Sequence, residues 1–250
     1  MNPVKTIIPA FPKFSKAIPR QAFLNVSEFF FDTIQGENFV GYPAAFLRLQ
    51  GCILNCSYCD STEVWRVGNP YTFAELFEAM EEAGLLPKLV DGQHLVITGG
   101  SPLLQQTSLI AFLQEFIKRY RFQPFIEIEN ECAFIPKKEL IALVSLWNNS
   151  PKLKSSGNAY FHKEALQTVA ALSNSWFKFV ISKESDWEEI QSTYLDTGLL
   201  SKKQLVLMPE GADRKRLAET RDITVQMAIK HNVRYTSREH IVLWDKKTGV

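Results

Sequence analysis

The chain has 250 residues, 46% of them hydrophobic and 22% charged, and its 28 basic and 27 acidic side chains leave a formal net charge of +1. This size and composition are typical of one globular domain with a full core. The balanced charge gives no global attraction to nucleic acid or membrane surfaces, and no apolar segment is long enough to span a bilayer, so we expect neither as a partner.

Residues 1–24 are interpreted as an N-terminal arm, and residues 25–250 as the main domain. The arm carries lysines among prolines and lacks the unbroken apolar segment of a secretory signal. Three of the four cysteines are clustered, which argues against a disulfide framework. Because thiols stay reduced in the cytoplasm, we expect a cytoplasmic protein. The remote Cys132 is interpreted as a small buried hydrophobe.

Strands and helices are predicted to alternate along the main domain. In chain order they are a strand at 44–49, a helix from 73 that stops at Gly84, a strand at 94–98, a helix at 109–120, a strand at 125–129, a helix at 137–147, a strand at 176–182, a helix from 185 to 196, a strand at 204–208, a helix at 215–231 and a short strand at 240–244. Capping boxes at 72–75 and 185–188 mark two helix starts.

Repeated strand–helix units favour a parallel sheet with helices outside it. A complete eightfold barrel typically needs about 250 residues. Since the arm and a cysteine loop take part of that length, we predict an α/β fold, namely an incomplete, open βα barrel in a single domain.

The cysteine loop is the main chemical signal. Cys52, Cys56 and Cys59 have the spacing C-x3-C-x2-C. Without a nearby fourth ligand they make a poor closed zinc site, which takes four ligands. Three thiolates suit a 4Fe-4S cluster that leaves one iron open for another ligand. A zinc ion that borrows a distant His or Asp is the alternative that the cysteines alone leave open.

Six further segments follow one another in a recognisable order. They are 33–37 (Thr-Ile-Gln-Gly-Glu) before the first predicted strand, 46–52 (Phe-Leu-Arg-Leu-Gln-Gly-Cys), 59–61 (Cys-Asp-Ser), 98–102 (Thr-Gly-Gly-Ser-Pro), 150–152 (Ser-Pro-Lys) and a tail with His-x-x-x-Trp-x-x-Lys-x-Gly at 240–249. Together with the cysteine loop they resemble the radical S-adenosylmethionine (SAM) superfamily and, within it, the 7-carboxy-7-deazaguanine synthase family. The resemblance implies a partial barrel of the radical SAM type, a 4Fe-4S cluster, SAM and Mg²⁺.

The resemblance also implies an activity. In this family the reduced cluster gives SAM one electron, and the resulting 5′-deoxyadenosyl radical takes the C6 hydrogen of 6-carboxy-5,6,7,8-tetrahydropterin. The ring contracts, ammonia is lost, and 7-carboxy-7-deazaguanine forms for 7-deazapurine (queuosine-type) biosynthesis. We therefore expect a lyase with a pterin substrate, an electron donor such as flavodoxin, and a homodimer. The alternatives are another radical SAM enzyme, such as a glycyl-radical activase, or a non-enzymatic metal-binding protein.

The family's functional residues can be placed on this chain by the same resemblance, and no catalytic side chain is implied beyond the cluster and SAM. The cluster would be held by Cys52, Cys56 and Cys59, and Mg²⁺ by the hydroxyl of Ser61 with substrate oxygens. SAM would be held by Tyr58, Cys59, Asp60, Gly100, Glu129, Ser150, Pro151 and Lys152. The substrate would be held by Ile34, Gln35, Gly36, Glu37, Arg48, Thr98, His240 and the C-terminal carboxylate of Val250.

Arg48 also has a physical reason to be noticed. A charge inside an apolar strand needs a partner, and a guanidinium suits the substrate carboxylate. An internal carboxylate such as Asp60 or Glu37 is the alternative partner. Gly99 and Gly100 lack β-carbons, which would let the strand end approach a ligand closely.

Two segments depart from the family pattern. Ser101 stands where the family often has Glu, and residues 129–132 (Glu-Asn-Glu-Cys) keep only the Glu of Glu-Thr-Asn-Gly. The SAM contacts of these two segments are therefore not carried over, apart from that of Glu129.

Overall fold

A computed structural model describes residues 4–11, 16–158, 161–247 and 249, and places their strands in one mixed sheet. The strands are β1 (Lys5–Ile8), β2 (Phe23–Ile34), β3 (Pro43–Leu49), β4 (Asn69–Thr72), β5 (His94–Gly99), β6 (Ile126–Asn130), β7 (Leu146–Asn149), β8 (Ser175–Ile181), β9 (Leu205–Pro209) and β10 (Arg234–Tyr235). Their order is β1-β2-β3-β5-β6-β7-β8-β9-β10, and β4 pairs with β2.

Helices connect most of these strands. They are α1 (Thr62–Trp65), α2 (Phe73–Glu82), α3 (Leu86–Val90), α4 (Gln106–Tyr120), α5 (Lys138–Leu143), α6 (Lys163–Ala170), α7 (Asp186–Ile190), α8 (Arg214–His231) and α9 (Glu239–Trp244). A π-helical turn, Gln191–Leu195, continues α7. No helix in the described part of the chain has the length and apolarity needed to cross a membrane.

The sheet is parallel from β3 to β10 and antiparallel at β1, β2 and β4. Its two end strands in the order are β1 and β10, so within the described residues the sheet is open. Parallel strands covered on both faces need apolar residues throughout, and β5 is buried from His94 to Thr98. The predicted α/β class and open sheet are confirmed.

The core lies between the sheet and the helices that follow its strands. Phe77 of α2 stacks on Phe112 of α4 at a ring-centroid distance of 5.2 Å, and both rings are fully buried with Leu47 of β3. Burying each such side chain contributes about 1.5–3 kcal/mol. Within the sheet β3 pairs in parallel with β5 along its length, and both strands lead into the site.

The helix starts were predicted with mixed success. The capping box of α2 is present, because Thr72 accepts from the Glu75 amide and Glu75 accepts from the Thr72 amide. The predicted box at Ser185 is wrong. Ser185 already has helical dihedrals and makes no side-chain cap, and Asp186 instead accepts from the amides of Ser182 and Lys183.

One predicted element ends too late and another has the wrong type. The helix predicted at 137–147 ends at Leu143, since Val144 turns extended and the next residues form β7. The strand predicted at 240–244 is helix α9. Both errors concern short apolar segments, whose helical and extended periodicities cannot be told apart over so few residues.

The segment before β3 was not predicted as a strand. Residues 23–34 form β2, the longest strand in the described part of the chain, so the motif at 33–37 ends a strand instead of preceding the first one. Residues 5–8 of the predicted arm pair antiparallel with β2. The arm is therefore attached to the edge of the sheet over these residues.

Candidate active site

A cavity of about 250 Å³ is lined by residues of β2, β3 and β5 to β9 together with the cysteine loop and the tail. Nearly all the site residues predicted from the sequence line it. They are Ile34, Gln35, Gly36, Glu37, Arg48, Cys52, Cys56, Tyr58, Cys59, Asp60, Ser61, Thr98, Gly100, Glu129, Ser150, Lys152 and His240. Pro151 is buried but is not among the lining residues, and Val250 lies outside the described residues.

The cysteine loop follows β3 and is held by close backbone packing. The Ser101 amide donates to the carbonyl of Gly51 at 2.8 Å, and the Ser57 amide donates to the carbonyl of Ser156 at 2.9 Å. A β-carbon on Gly100 would stand 2.2 Å from the β-carbon of Cys52. What approaches Gly100 closely is therefore the cysteine loop itself, and the glycine is required by the position of that loop.

The cavity thiols receive hydrogen bonds from outside their own motif. Asn158 Nδ2 donates to Cys56 Sγ at 3.1 Å. Ser101 Oγ, also outside the motif, donates to Cys52 Sγ at 3.5 Å. Within the motif, the Leu54 amide donates to the same sulfur at 3.3 Å. Ser101, at the position where the family pattern is broken, thus contacts a cluster cysteine. No local sequence pattern identified Asn158, which is 102 residues from Cys56.

These features fit an iron–sulfur cluster. N–H and O–H donors aimed at thiolate sulfurs stabilise the negative charge of a cluster and tune its potential. Burial raises the pKa of Cys56, which Lys152 opposes, so a bound positive centre would favour its thiolate form. Among the described residues no three His, Cys, Asp or Glu side chains converge on a single ion. The cysteines of a 4Fe-4S cluster need not meet at a single point, because each of them binds a different iron.

Arg48 has a buried partner that the sequence analysis did not propose. Its Nε lies 2.6 Å from Oε1 of Glu28, which is directly opposite in the β2–β3 register and only 2% exposed. The alternative of an internal carboxylate partner is therefore confirmed, but the partner is Glu28 and not Asp60 or Glu37. Glu28 was missed because β2 was not predicted, although alternation along residues 23–34 would have placed it on one face.

Asp60 joins the cysteine loop to the tail. Its Oδ2 accepts from Arg238 Nη2 and lies 3.3 Å from His240 Nε2. Burial alone would raise the pKa of Asp60, but the neighbouring Arg238 and His240 hold that pKa well below its usual range. Arg238 was not predicted as a site residue, and its contact fixes His240 beside the cavity.

A second ion pair lies deeper in the cavity. Lys178 of β8 contacts Glu37, and Arg238 lies close enough to influence it. Burial and the charge of Arg238 lower the pKa of Lys178 to about 7, while the Glu37 carboxylate favours its ammonium form. Lys178 was not predicted as a site residue, although a lysine within an apolar strand is the same signal that identified Arg48.

Several of the remaining predicted SAM and substrate residues have local hydrogen-bond partners, and Tyr58 is an exception. Thr98 Oγ1 donates to Glu129 Oε2 at 2.6 Å, and burial raises the pKa of Glu129. Lys152 Nζ donates to the carbonyl and hydroxyl oxygens of Ser150 at 2.7 and 2.9 Å. The Tyr58 hydroxyl is buried without a hydrogen-bond partner in the described structure, and burial raises its pKa.

The comparisons with known proteins agree with this site. A family model described as a 4Fe-4S single cluster domain matches residues 35–128. A 7-carboxy-7-deazaguanine synthase from Pyrobaculum aerophilum is 32% identical over 93% of this chain and 99% of its own. The Hyperthermus butylicus enzyme of the same name is 30% identical over 85% of this chain and 90% of its own.

One solved structure has a similar fold. The crystal structure of QueE from Escherichia coli has a TM-score of 0.65 and 20% identity, and the match covers 86% of this chain and 94% of that chain. At this identity the similarity supports the fold.

Proposed function

The chain belongs to the 7-carboxy-7-deazaguanine synthase family, and on this basis we propose that it is a radical SAM lyase that converts 6-carboxy-5,6,7,8-tetrahydropterin into 7-carboxy-7-deazaguanine with loss of ammonia. One observation carries the proposal: a single cavity brings the three clustered cysteines together with Arg48 and Glu37. A glycyl-radical activase or a non-enzymatic metal-binding protein has no need of these pterin-binding groups. We also propose that the open sheet is a partial barrel of the radical SAM type.

The cysteine loop would hold the cluster through Cys52, Cys56 and Cys59. When bound, the cluster and SAM supply a 5′-deoxyadenosyl radical that takes hydrogen from the substrate. The close packing of Gly100 against Cys52 fixes the loop relative to β5. SAM is assigned to the predicted set around the loop, in which Lys152 and Ser150 already contact each other.

The other cavity groups are assigned to the pterin. The ion pair with Glu28 uses Nε of Arg48, which leaves its Nη groups for a charge-assisted contact with the substrate carboxylate. Glu37 would accept from ring N–H groups, and Lys178 contacts the same carboxylate. His240 and Thr98 complete the set of described substrate residues.

A magnesium ion is proposed at Ser61. Ser61 precedes α1, but its hydroxyl makes no capping hydrogen bond, and its one described contact is a weak one of 3.9 Å with Cys59 Sγ. Its oxygen is therefore available to a hard cation, whose other ligands would be substrate oxygens and water. Ser61→Ala should make turnover less dependent on Mg²⁺ concentration than it is in the parent enzyme.

The cellular setting is also a proposal. A reduced cluster needs an electron donor such as flavodoxin, and reduced thiols fit the cytoplasm. A homodimer is proposed from the family resemblance.

An anaerobic assay tests the function. Reconstituted protein with SAM, dithionite, Mg²⁺ and the carboxytetrahydropterin should form 7-carboxy-7-deazaguanine, detected by its absorbance and mass. SAM should be required but not consumed in step with product. Cys56→Ala should lose both the iron–sulfur chromophore and the product. Stoichiometric SAM consumption without deazaguanine would favour a glycyl-radical activase instead.

A further inference from the structure

Glu127 lies behind the cavity and has no role in the chemistry described above. It is the second residue of β6 and its side chain is fully buried. Its Oε2 accepts from Gln35 Nε2 at 2.9 Å and from Asn148 Nδ2 at 2.6 Å, and its Oε1 lies 2.5 Å from His94 Nδ1. A carboxylate offers acceptors only, so all three neighbours can donate to it.

His94 is held in place by aromatic rings. It stacks between Tyr42, at a centroid distance of 4.4 Å, and Phe125, at 4.1 Å, and Phe39 meets its ring edge-on at 5.1 Å. Phe39 and Tyr42 belong to the segment 35–42 that joins β2 to β3. Glu127 is thus linked to that segment in two ways, directly through Gln35 and indirectly through His94.

The segment 35–42 has a compact hydrogen-bonded form. The Gln35 amide donates to the carbonyl of Tyr42 at 2.8 Å, and the Gly41 amide donates to the carbonyl of Gln35 at 2.8 Å. The side-chain oxygen of Gln35 accepts from the Gly36 amide at 2.7 Å. Because both ends of the Gln35 side-chain amide are engaged, the acceptor at Glu127 determines how Gln35 and the following backbone are oriented.

We propose that Glu127, Asn148 and His94 form a buried anchor that positions Gln35 and Glu37 for the pterin. Glu127 is a positioning residue, since it lies outside the cavity lining and acts through Gln35. The inference rests on the proposed function for the identity of the ligand, but the anchor itself is a property of the folded chain. Thr236 supports the same segment separately through the carbonyls of Gly36 and Glu37.

Amide hydrogen exchange of the purified, cluster-loaded enzyme tests the anchor without any substrate. Glu127→Leu removes all three acceptor contacts, and exchange in residues 35–42 should become about tenfold faster or more, as expected when buried donors lose their acceptor. Glu127→Gln can keep its carbonyl oxygen towards Gln35 and Asn148. Its amide exchange rates in residues 35–42 should therefore stay within about threefold of those of the parent. Thr224→Val is the control. It removes a buried hydrogen bond within α8 and should leave the amide exchange rates of residues 35–42 unchanged.

Kinetics then test the consequence for the ligand. Glu127→Leu should raise the KM for the carboxytetrahydropterin by about tenfold or more, with a smaller effect on kcat. SAM cleavage by dithionite-reduced enzyme without substrate, and the iron content, should not change. Glu127→Gln should restore KM to near the parent value.

The outcomes separate this inference from the proposed function. If Glu127→Leu leaves exchange in residues 35–42 and the KM unaltered, or if Glu127→Gln is as damaging as Glu127→Leu, the anchor is wrong. If exchange accelerates as expected but the parent enzyme makes no deazaguanine, the anchor stands and the proposed function fails.

Discussion

Gly100 and Cys52 are in such close contact that a β-carbon on Gly100 would stand 2.2 Å from the β-carbon of Cys52 and 2.6 Å from the carbonyl oxygen of Gly51. No real side chain tolerates that separation. The end of β5 and the start of the cysteine loop therefore have one mutual arrangement, and it requires glycine.

Gly100→Ala should displace the cysteine loop and lower the iron content after anaerobic reconstitution to less than half. Overpacking destabilises a folded protein by about 1–3 kcal/mol. Here it would destabilise the native position of the loop that carries Cys52. Iron and sulfide analysis with the visible spectrum measures the effect. Gly211→Ala is the matched control, because its β-carbon would stand 2.6 Å from the Leu217 amide nitrogen, away from the cavity. A full cluster in Gly100→Ala would contradict the argument.

Arg48→Ala should weaken substrate binding and stability together. It leaves Glu28 buried without its partner, which costs about 3 kcal/mol and should lower Tm by roughly 6–12 °C. Losing the substrate carboxylate contact should raise the KM for the pterin roughly 10- to 100-fold, with the cluster retained. Adding Glu28→Gln should recover Tm but not KM. A double variant that recovers KM would show that Arg48 serves only the ion pair.

Asn158→Leu should make the midpoint potential of the cluster more negative by tens of millivolts. The amide donates to Cys56 Sγ, and a hydrogen bond of about 1 kcal/mol to a cluster sulfur favours the more negatively charged reduced state. Asn158→Asp, which sets a carboxylate against the same sulfur, should lower the potential further. A redox titration followed by electron paramagnetic resonance measures both. Equal potentials in all three proteins would rule out this tuning.

Arg238→Met should shift the acidic limb of the kcat/KM profile to higher pH. Burial alone raises the pKa of Asp60, and Arg238 is the larger of the charges that hold it below the ordinary value of 3.8. The parent carboxylate therefore stabilises the fold above about pH 4, and loses that effect only as pH falls towards its lowered pKa. Without Arg238 the pKa of Asp60 rises, so this stabilisation is lost at higher pH. The folded, active fraction of the enzyme, and with it the measured kcat/KM, then falls at higher pH as well. Arg238→Lys keeps the charge and should shift the limb less.

Local signals in the sequence predicted much of the fold. The capping box at Thr72, the stop at Gly84 and the apolar face of α4 each depend on residues within one or two turns, and each is confirmed. The strand type of β7 and the helix type of α9 could not be predicted, because four to six residues do not separate the two periodicities. Tertiary packing decides their conformation.

The sequence motifs predicted which residues belong to the site, but not which residues they contact there. Nearly all the residues predicted from the motifs line one cavity, yet the contacts that orient them join distant positions. Glu28 meets Arg48 through the register of β2 and β3, and Arg238 meets Asp60 across 178 residues. Such pairs depend on sheet register and loop path, which a single sequence does not reveal.

The length of β3 has a consequence for the reaction. Its seven residues separate the segment 35–42, at its start, from the cysteine loop, at its end, by roughly 20 Å of backbone. A one-residue insertion or deletion would turn Arg48 to the other side of the sheet, so this separation can change only in two-residue steps of roughly 7 Å. The alternation of side chains along β3 therefore limits changes in its length, because only an even number of residues can be gained or lost while Arg48 still faces the cavity that it shares with the cysteines.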